Sequence, residues 1–254
     1  MAEEEKIEQH AKKALRTLTN KKKKWKEKIR DFLWEILIII VGVSITLWFH
    51  NWNDRRQDRE LEKNFLIGVR SDLHDITLTL DSGFVQFQPT LDYYDTLWAQ
   101  MNTHRISAAY LNNHSYNLIN TCYFTYDNSR FESFKSSGYL KLIENEKLLE
   151  DISKLYGVDL PQQEDDDNLT FDFRRNNFIT YIGSKAVIDS SGNTIITDLL
   201  NDKGFRYQIF IQRIALQDLK RHKKGLLDAV KKVIPEIDKE LKERFGYEVA
   251  NKNE

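Results

Sequence analysis

The residues that could do chemistry are few and scattered. The six histidines (His10, His50, His74, His104, His114 and His222) lie in different segments. No two reach the i, i+4 spacing that would put two imidazoles on one helix face for a metal. The single cysteine, Cys122, excludes an intramolecular disulfide and reads as a small core residue rather than a reactive thiol. Asp165, Asp166 and Asp167 lack the spacing and the glycine of a calcium loop. They read as a solvated helix start after Pro161, where the helix dipole favours acids. There is no G-x-S-x-G, no Gly-rich phosphate loop and no H-E-x-x-H. Nothing singles out a dispersed acid pair such as Glu132 and Asp172. The chain therefore reads as non-enzymatic, with no catalytic residue, metal ligand or cofactor-binding residue assigned.

One excess of residue type needs a use. Ten aromatics fall between Phe84 and Tyr126. Packed between helices they fill a core. The alternative is a ligand pocket lined by Trp98, Tyr116 and Phe124, with Asn117 as a polar handle.

The elements that must position these side chains are helical. Leu61, Phe65, Val69, Leu73, Ile76 and Leu80 keep steps of three and four, one apolar stripe on a helix. The spacing predicts a helix to about residue 82, extending past Pro89 to Met101. A short helix is expected around Ala108 to Ile119, and another from Asp127 to Ser137 that stops near Gly138. Asn145 caps the next, to about Tyr156. A further helix runs from the three aspartates to about Ile182. For residues 183–204 a small hairpin, 186–188 with 194–196, and a plain loop are both open. The last helix, about Phe205 to Arg244, carries the seam Leu226, Leu227, Val230, Val233, Ile234, Ile237 and Leu241. Pro235 should kink it or break it after Val233. The fold class is all-α, an up-and-down bundle rather than a sheet protein.

Upstream stands the strongest constraint. Eighteen consecutive uncharged, mostly apolar residues separate Glu35 from Asp54, and a bilayer-spanning helix needs roughly 20. Trp25 and Trp34 flank one end, and Trp48 and Trp52 the other, as interfacial tryptophans do. Glu35 sits at the edge, within reach of headgroups. Residues 1–30 hold 11 Lys and Arg against 5 Glu, a net +6; with the whole chain at −1, residues 31–254 carry −7. Basic flanks stay in the cytoplasm, which predicts an inner-membrane protein with its N-terminus inside. The lysine run before the span points to lipid headgroups rather than nucleic acid. A cleaved signal peptide fits less well, because Phe49, His50, Asn51, Trp52 and Asn53 offer no small-residue cleavage site. Gly42 and Thr46 form a small-xxx-small pair that lets two helices approach.

At these residues the chain resembles a known family. Glu35-Ile36, Gly42, Ile45, Leu47 and Asn51-Trp52-Asn53 followed by Arg56 are similar to the start of a group of single-span Bacteroidetes proteins, domain-of-unknown-function family 6090. A second patch, FESFKSSGYLKLIENEKLLEDISKLY from Phe131 to Tyr156, matches its Ser/Thr-Gly turn and following leucines at Ser137-Gly138, Leu140 and Leu142-Ile143. Trp34 and Trp48-Phe49 depart from its pattern. The resemblance implies an inner-membrane protein with a helical periplasmic domain, and no activity.

The expected organisation is a basic cytoplasmic segment (1–30), a transmembrane helix (31–53), a stalk helix (54–101), a helical periplasmic domain packing on the stalk (102–246) and a flexible tail (247–254). The expected role is a scaffold or accessory subunit whose partners are membrane lipid and either a second copy or an envelope protein. The alternative is a small-molecule sensor signalling through a partner.

Overall fold

The computed structural model describes residues 2–103, 107–120, 123–192 and 195–248, with side chains at Trp25, Glu27 and from Ile29 onward. Cys122 and His104 lie outside the described residues. The chain divides into two compact units, Met1–Glu60 and Leu61–Glu254. Seven α-helices form, and no strand among the described residues: α1 Ala2–Thr103, α2 Ala108–Asn113, α3 Ser129–Ser136, α4 Glu146–Lys154, α5 Leu160–Phe173, α6 Thr180–Gly183 and α7 Lys203–Phe245. The all-α expectation holds.

In the first unit every residue from Ile29 to Asn53 is exposed, the whole apolar run included. Among the described residues, this is the one stretch long and apolar enough to cross a membrane.

The second unit is built on three long runs of helix. The α1 stretch from Leu61 supplies Phe65, Val69, Leu73, Ile76 and Leu80 of the predicted stripe to the core, with Leu66 beside them, while Leu61, the first residue of that stripe, is exposed. α7 returns beside it in the opposite direction. Arg244 meets Glu62 (2.6 Å), Lys231 meets Asp81 (3.3 Å), Lys220 meets Gln88 (2.7 Å), Arg213 meets Asp95, and Arg206 donates to the Met101 carbonyl (2.9 Å). As the α1 number rises, the α7 number falls, so the helices are antiparallel. Lys231–Asp81 is an exposed pair and contributes little energy, whereas Glu62, 1% exposed, is buried against Arg244; together the contacts report the register.

The third run departs from the expected break at Pro161. α4, α5 and α6 follow one another through two wide π-type turns, Leu155–Asp159 and Arg174–Ile179, with no gap from residue 146 to 183. Pro161 directly follows the wide turn Leu155–Asp159, whose altered hydrogen bonding accommodates proline's missing N–H inside the run. Asp165, Asp166 and Asp167 are therefore inside a continuous helix, not at its start. Neither does Pro235 break α7. It is exposed, as is Lys231 four residues before, so the carbonyl freed by the proline faces water. The packing of Val233, Ile237 and Leu241 holds the helix on both sides.

Local signals behave as their chemistry requires. The Asn145 side chain accepts the Leu148 N–H (3.1 Å) and caps α4. Gly138, at φ 72°, ends α3 in the left-handed region that glycine enters without a Cβ clash. In 183–204 the Ile195 N–H donates to Val187 (2.8 Å), but no strand forms among the described residues; residues 193 and 194 lie outside them.

α7 begins at a small polar knot. Asp202 accepts the Phe205 N–H (2.9 Å) as N-cap, and also accepts from Lys185 and from the Tyr181 hydroxyl. Lys185 first, then Tyr181 and the Phe205 N–H, hold the Asp202 carboxyl well below the usual carboxylate range. A Cβ added at Gly204 would fall on that tyrosine hydroxyl. Gly204→Ala should cost about 1–3 kcal/mol, as overpacking does, and Tyr181→Phe should recover part of it; thermal unfolding of the full chain in detergent reads both. Because folding lowers the Asp202 pKa, its contribution is complete above the ordinary aspartate value of about 3.9 and fades as pH falls through the folded value. Asp202→Asn should therefore flatten the acid limb of the unfolding temperature against pH.

Candidate functional site

The buried side chains of the second unit form two hydrophobic clusters in succession. One gathers α1 from Phe65 to Leu80 with Phe124 to Leu160 and Leu226 to Leu241. The other gathers α1 from Phe87 to Met101 with Leu111, Leu118, Phe178, Ile182 and α7 from Phe205 to Leu219. Where they meet, the core positions turn polar. On the α5 face Gln163, Asp167 and Arg174 stand between Leu160 and Phe178; on α7 Lys223 stands between Leu219 and Leu226.

Asp167 is the hub. Its carboxylate accepts from the Lys223 ammonium (2.8 Å), the Gln163 amide (2.8 Å) and the Phe124 backbone N–H (2.7 Å), with Asp167 and Lys223 both buried. Two turns along the same helix run, Arg174 is 1% exposed. Its guanidinium donates to the carbonyls of Asn117 (3.0 Å), Leu118 (3.0 Å) and Asn120 (2.6 Å) and lies over the Tyr94 ring. The cation thus holds carbonyls ahead of residues 121 and 122, and the anion holds the amide of Phe124 behind them. Burial, partly offset by Arg174, pushes the Tyr94 phenol up to about 12, so it stays neutral and hydrogen-bonds to Leu118 O (3.3 Å).

A groove of about 330 Å³ opens beside this layer between the α4–α5 run and α7. Its floor includes Gln163 and Leu226, and its rim Lys154, Asp159, Asp166 and His222. His222 Nδ1 lies 2.9 Å from Asp166 and Lys154 lies 3.6 Å from Asp159. The lining holds charge and hydrogen-bonding groups but no hydroxyl or thiol. It can orient a polar ligand through the His222–Asp166 and Lys154–Asp159 pairs on its rim. Among the described residues no group of three His, Cys, Asp or Glu converges as metal ligands would.

The sequence-predicted residues fall elsewhere. Trp98, Tyr116, Phe124 and Asn117 do not line one cavity. Phe124 belongs to the first cluster, and Trp98 packs at the edge of the second against Phe210 (5.4 Å). Tyr116 is exposed, and Asn117 is buried with its carbonyl on Arg174. Tyr93, Tyr94 and Phe87 are core side chains. In the first unit Trp25, Trp34, Glu35, Trp48 and Trp52 are all exposed. The Thr46 hydroxyl donates to the Gly42 carbonyl (3.0 Å), and a Cβ at Gly42 would meet nothing within 4 Å. The solvated reading of the three aspartates is corrected: Asp165 is exposed, Asp166 pairs with His222, and Asp167 is buried on Lys223. No family model, curated protein or solved structure matches the chain.

The layer predicts an asymmetric cost. Lys223→Met leaves a buried carboxylate without its cation and should cost about 3–5 kcal/mol, read by thermal unfolding of the full chain. Arg174→Lys keeps the charge but cannot span three carbonyls. It should raise amide exchange across residues 107–120 while leaving that of Val230 to Leu241 near its original rate.

Proposed function

We propose that the chain is a single-span inner-membrane protein, N-terminus inside, whose helical domain stands in the periplasm as a non-enzymatic scaffold or accessory subunit. The observation that carries this reading is the fully exposed apolar run in the first unit. A helix apolar on every side needs a solvent other than water. The net +6 of residues 1–30 supports the orientation, and the resemblance to domain-of-unknown-function family 6090 belongs to the same proposal. Two exposed features support contact as the mode of action. Gly42 is open for close helix approach, and large apolar side chains such as Leu169 and Tyr207 stand on the surface of the second unit. The sensor alternative rests on the polar groove between α5 and α7 rather than on the aromatic residues.

Topology is tested by protease treatment of cells carrying a C-terminal tag. The tag should resist in intact cells and be lost once the outer membrane is permeabilised; loss only after the inner membrane is broken would overturn the orientation. Association through the span is tested with Gly42→Ile, which should abolish crosslinking between copies through cysteines placed in residues 36–48.

A further inference from the structure

α7 changes character along its length. Between Lys203 and Gln217 it is apolar on both sides: Phe205, Ile209 and Leu216 face the core, while Tyr207, Phe210 and Ile214 are exposed on the opposite face. Beyond residue 220 the outward positions are Arg221, Lys224, Asp228 and Lys231, an ordinary solvated face. The first half of α7 thus carries two apolar stripes on opposite faces, one packed in the core and one without protein over it. The uncovered patch is rimmed by Lys203, Arg206 and Arg213, with Trp98 of α1 beside Phe210. Aromatics ringed by arginine are the composition of interface centres.

The chain carries a second patch of the opposite charge. On α5, Leu169 is 70% exposed and Phe173 is also exposed, four residues apart. Asp165 and Asp172 flank them; Asp172 has the exposed Arg175 at 3.3 Å. Both patches run over about three helical turns. Set antiparallel, Leu169 comes opposite Phe210, Phe173 comes opposite Tyr207 within a residue, Asp165 falls near Arg213, and Asp172 falls within a turn of Arg206 and Lys203. An α7 face set on its own copy would instead bring one basic rim against another.

We propose that α5 of one copy docks on the first half of α7 of the next, Leu169 and Phe173 against Tyr207, Phe210 and Ile214. This contact is heterologous: each copy offers both faces, so copies join head to tail into a ring or a row. It goes beyond the scaffold reading by naming the surface and its occupant, and it is separate from the Gly42 face in the span.

The test uses two differently tagged full-length copies in a Cys122→Ser background, one carrying Leu169→Cys and the other Phe210→Cys, co-expressed and oxidised in membranes. A disulfide requires Cβ atoms within about 4.5 Å. The expected result is a linked species containing both tags, absent when both copies carry Leu169→Cys. Asp172→Lys should cut its yield several-fold, and Lys203→Glu on the other copy should restore it. Gly42→Ile should leave the link in place, so failure here is distinguished from failure of the span contact. No linked species, in copies whose thermal unfolding is unchanged, overturns the proposal. So does a Phe210→Cys link of equal yield between like copies, which would put α7 on α7.

Discussion

The second unit holds two buried acids on cations, Glu62 on Arg244 and Asp167 on Lys223, and the second carries the wider network. Asp167 and Lys223 sit where two hydrophobic clusters meet, and the carboxylate satisfies an ammonium, an amide and a backbone N–H at once. A charge brought into a core is tolerated only with such a set of partners. The pair ties the α4–α6 run to α7, and its third bond reaches Phe124. Arg174, on the same helix face, takes the carbonyls of Asn117, Leu118 and Asn120. Four backbone groups between α2 and α3, the carbonyls of Asn117, Leu118 and Asn120 and the N–H of Phe124, are thus met by one acid and one base projecting from a single helix run. In return, each of those two buried side chains faces groups of the opposite polarity, which offset part of its desolvation.

Much of this fold was legible in the sequence, because its signals are local. The stripe from Phe65 to Leu80, the Asn145 cap and the Gly138 stop act within a turn or two, and each stands where its chemistry put it. The exposed apolar run needed only its composition. What was not legible was which member of a charged run turns inward. Asp165, Asp166 and Asp167 are adjacent, and successive residues on a helix point about 100° apart. One solvated, one paired and one buried acid look alike until the partner helix is placed. A signal did exist: Gln163, Asp167 and Arg174 fall on the stripe that joins Leu160 to Phe178, and Lys223 on the one that joins Leu219 to Leu226. Polar residues at seam positions on two helices are a matched set, and the runs of like residues around them hid it.

The aromatic excess was half legible: its first reading, a filled core, stands for Phe87, Tyr93, Tyr94 and Phe124, and the four residues of the pocket alternative do not converge. Between Phe84 and Tyr126 the count is high, but the residues belong to different packing environments. Phe87, Tyr93 and Tyr94 fill the second cluster, Phe124 the first, and Tyr116 faces solvent. Sequence proximity measures density along the chain, whereas a pocket needs convergence in space. The two proline positions carry a related lesson. Each was a reason to expect an interruption, yet Pro161 follows a wide turn that absorbs its missing N–H and Pro235 stands on an exposed face, so the helix runs on through both.

The polar contacts between α1 and α7 behave like the marks of a vernier. Asp81, Gln88, Asp95 and Asn102 recur every seven residues along α1, and Arg206, Arg213 and Lys220 keep the same interval on α7. A slip of α7 by one interval would carry Lys220 to Asp95 and leave apolar side chains facing apolar side chains. Read by Lys220 and Arg213 alone, the surface marks therefore fit two settings, although Lys231 on Asp81 and Asp238 on Arg70 fit one. The buried pair does not fit both: the same slip takes Lys223 a full two turns from Asp167 and seats an ammonium among leucines. The bundle is thus graduated on its outside and keyed within, at Lys223 on Asp167 and at Arg244 on the buried Glu62, so a pull along α7 meets its resistance at both.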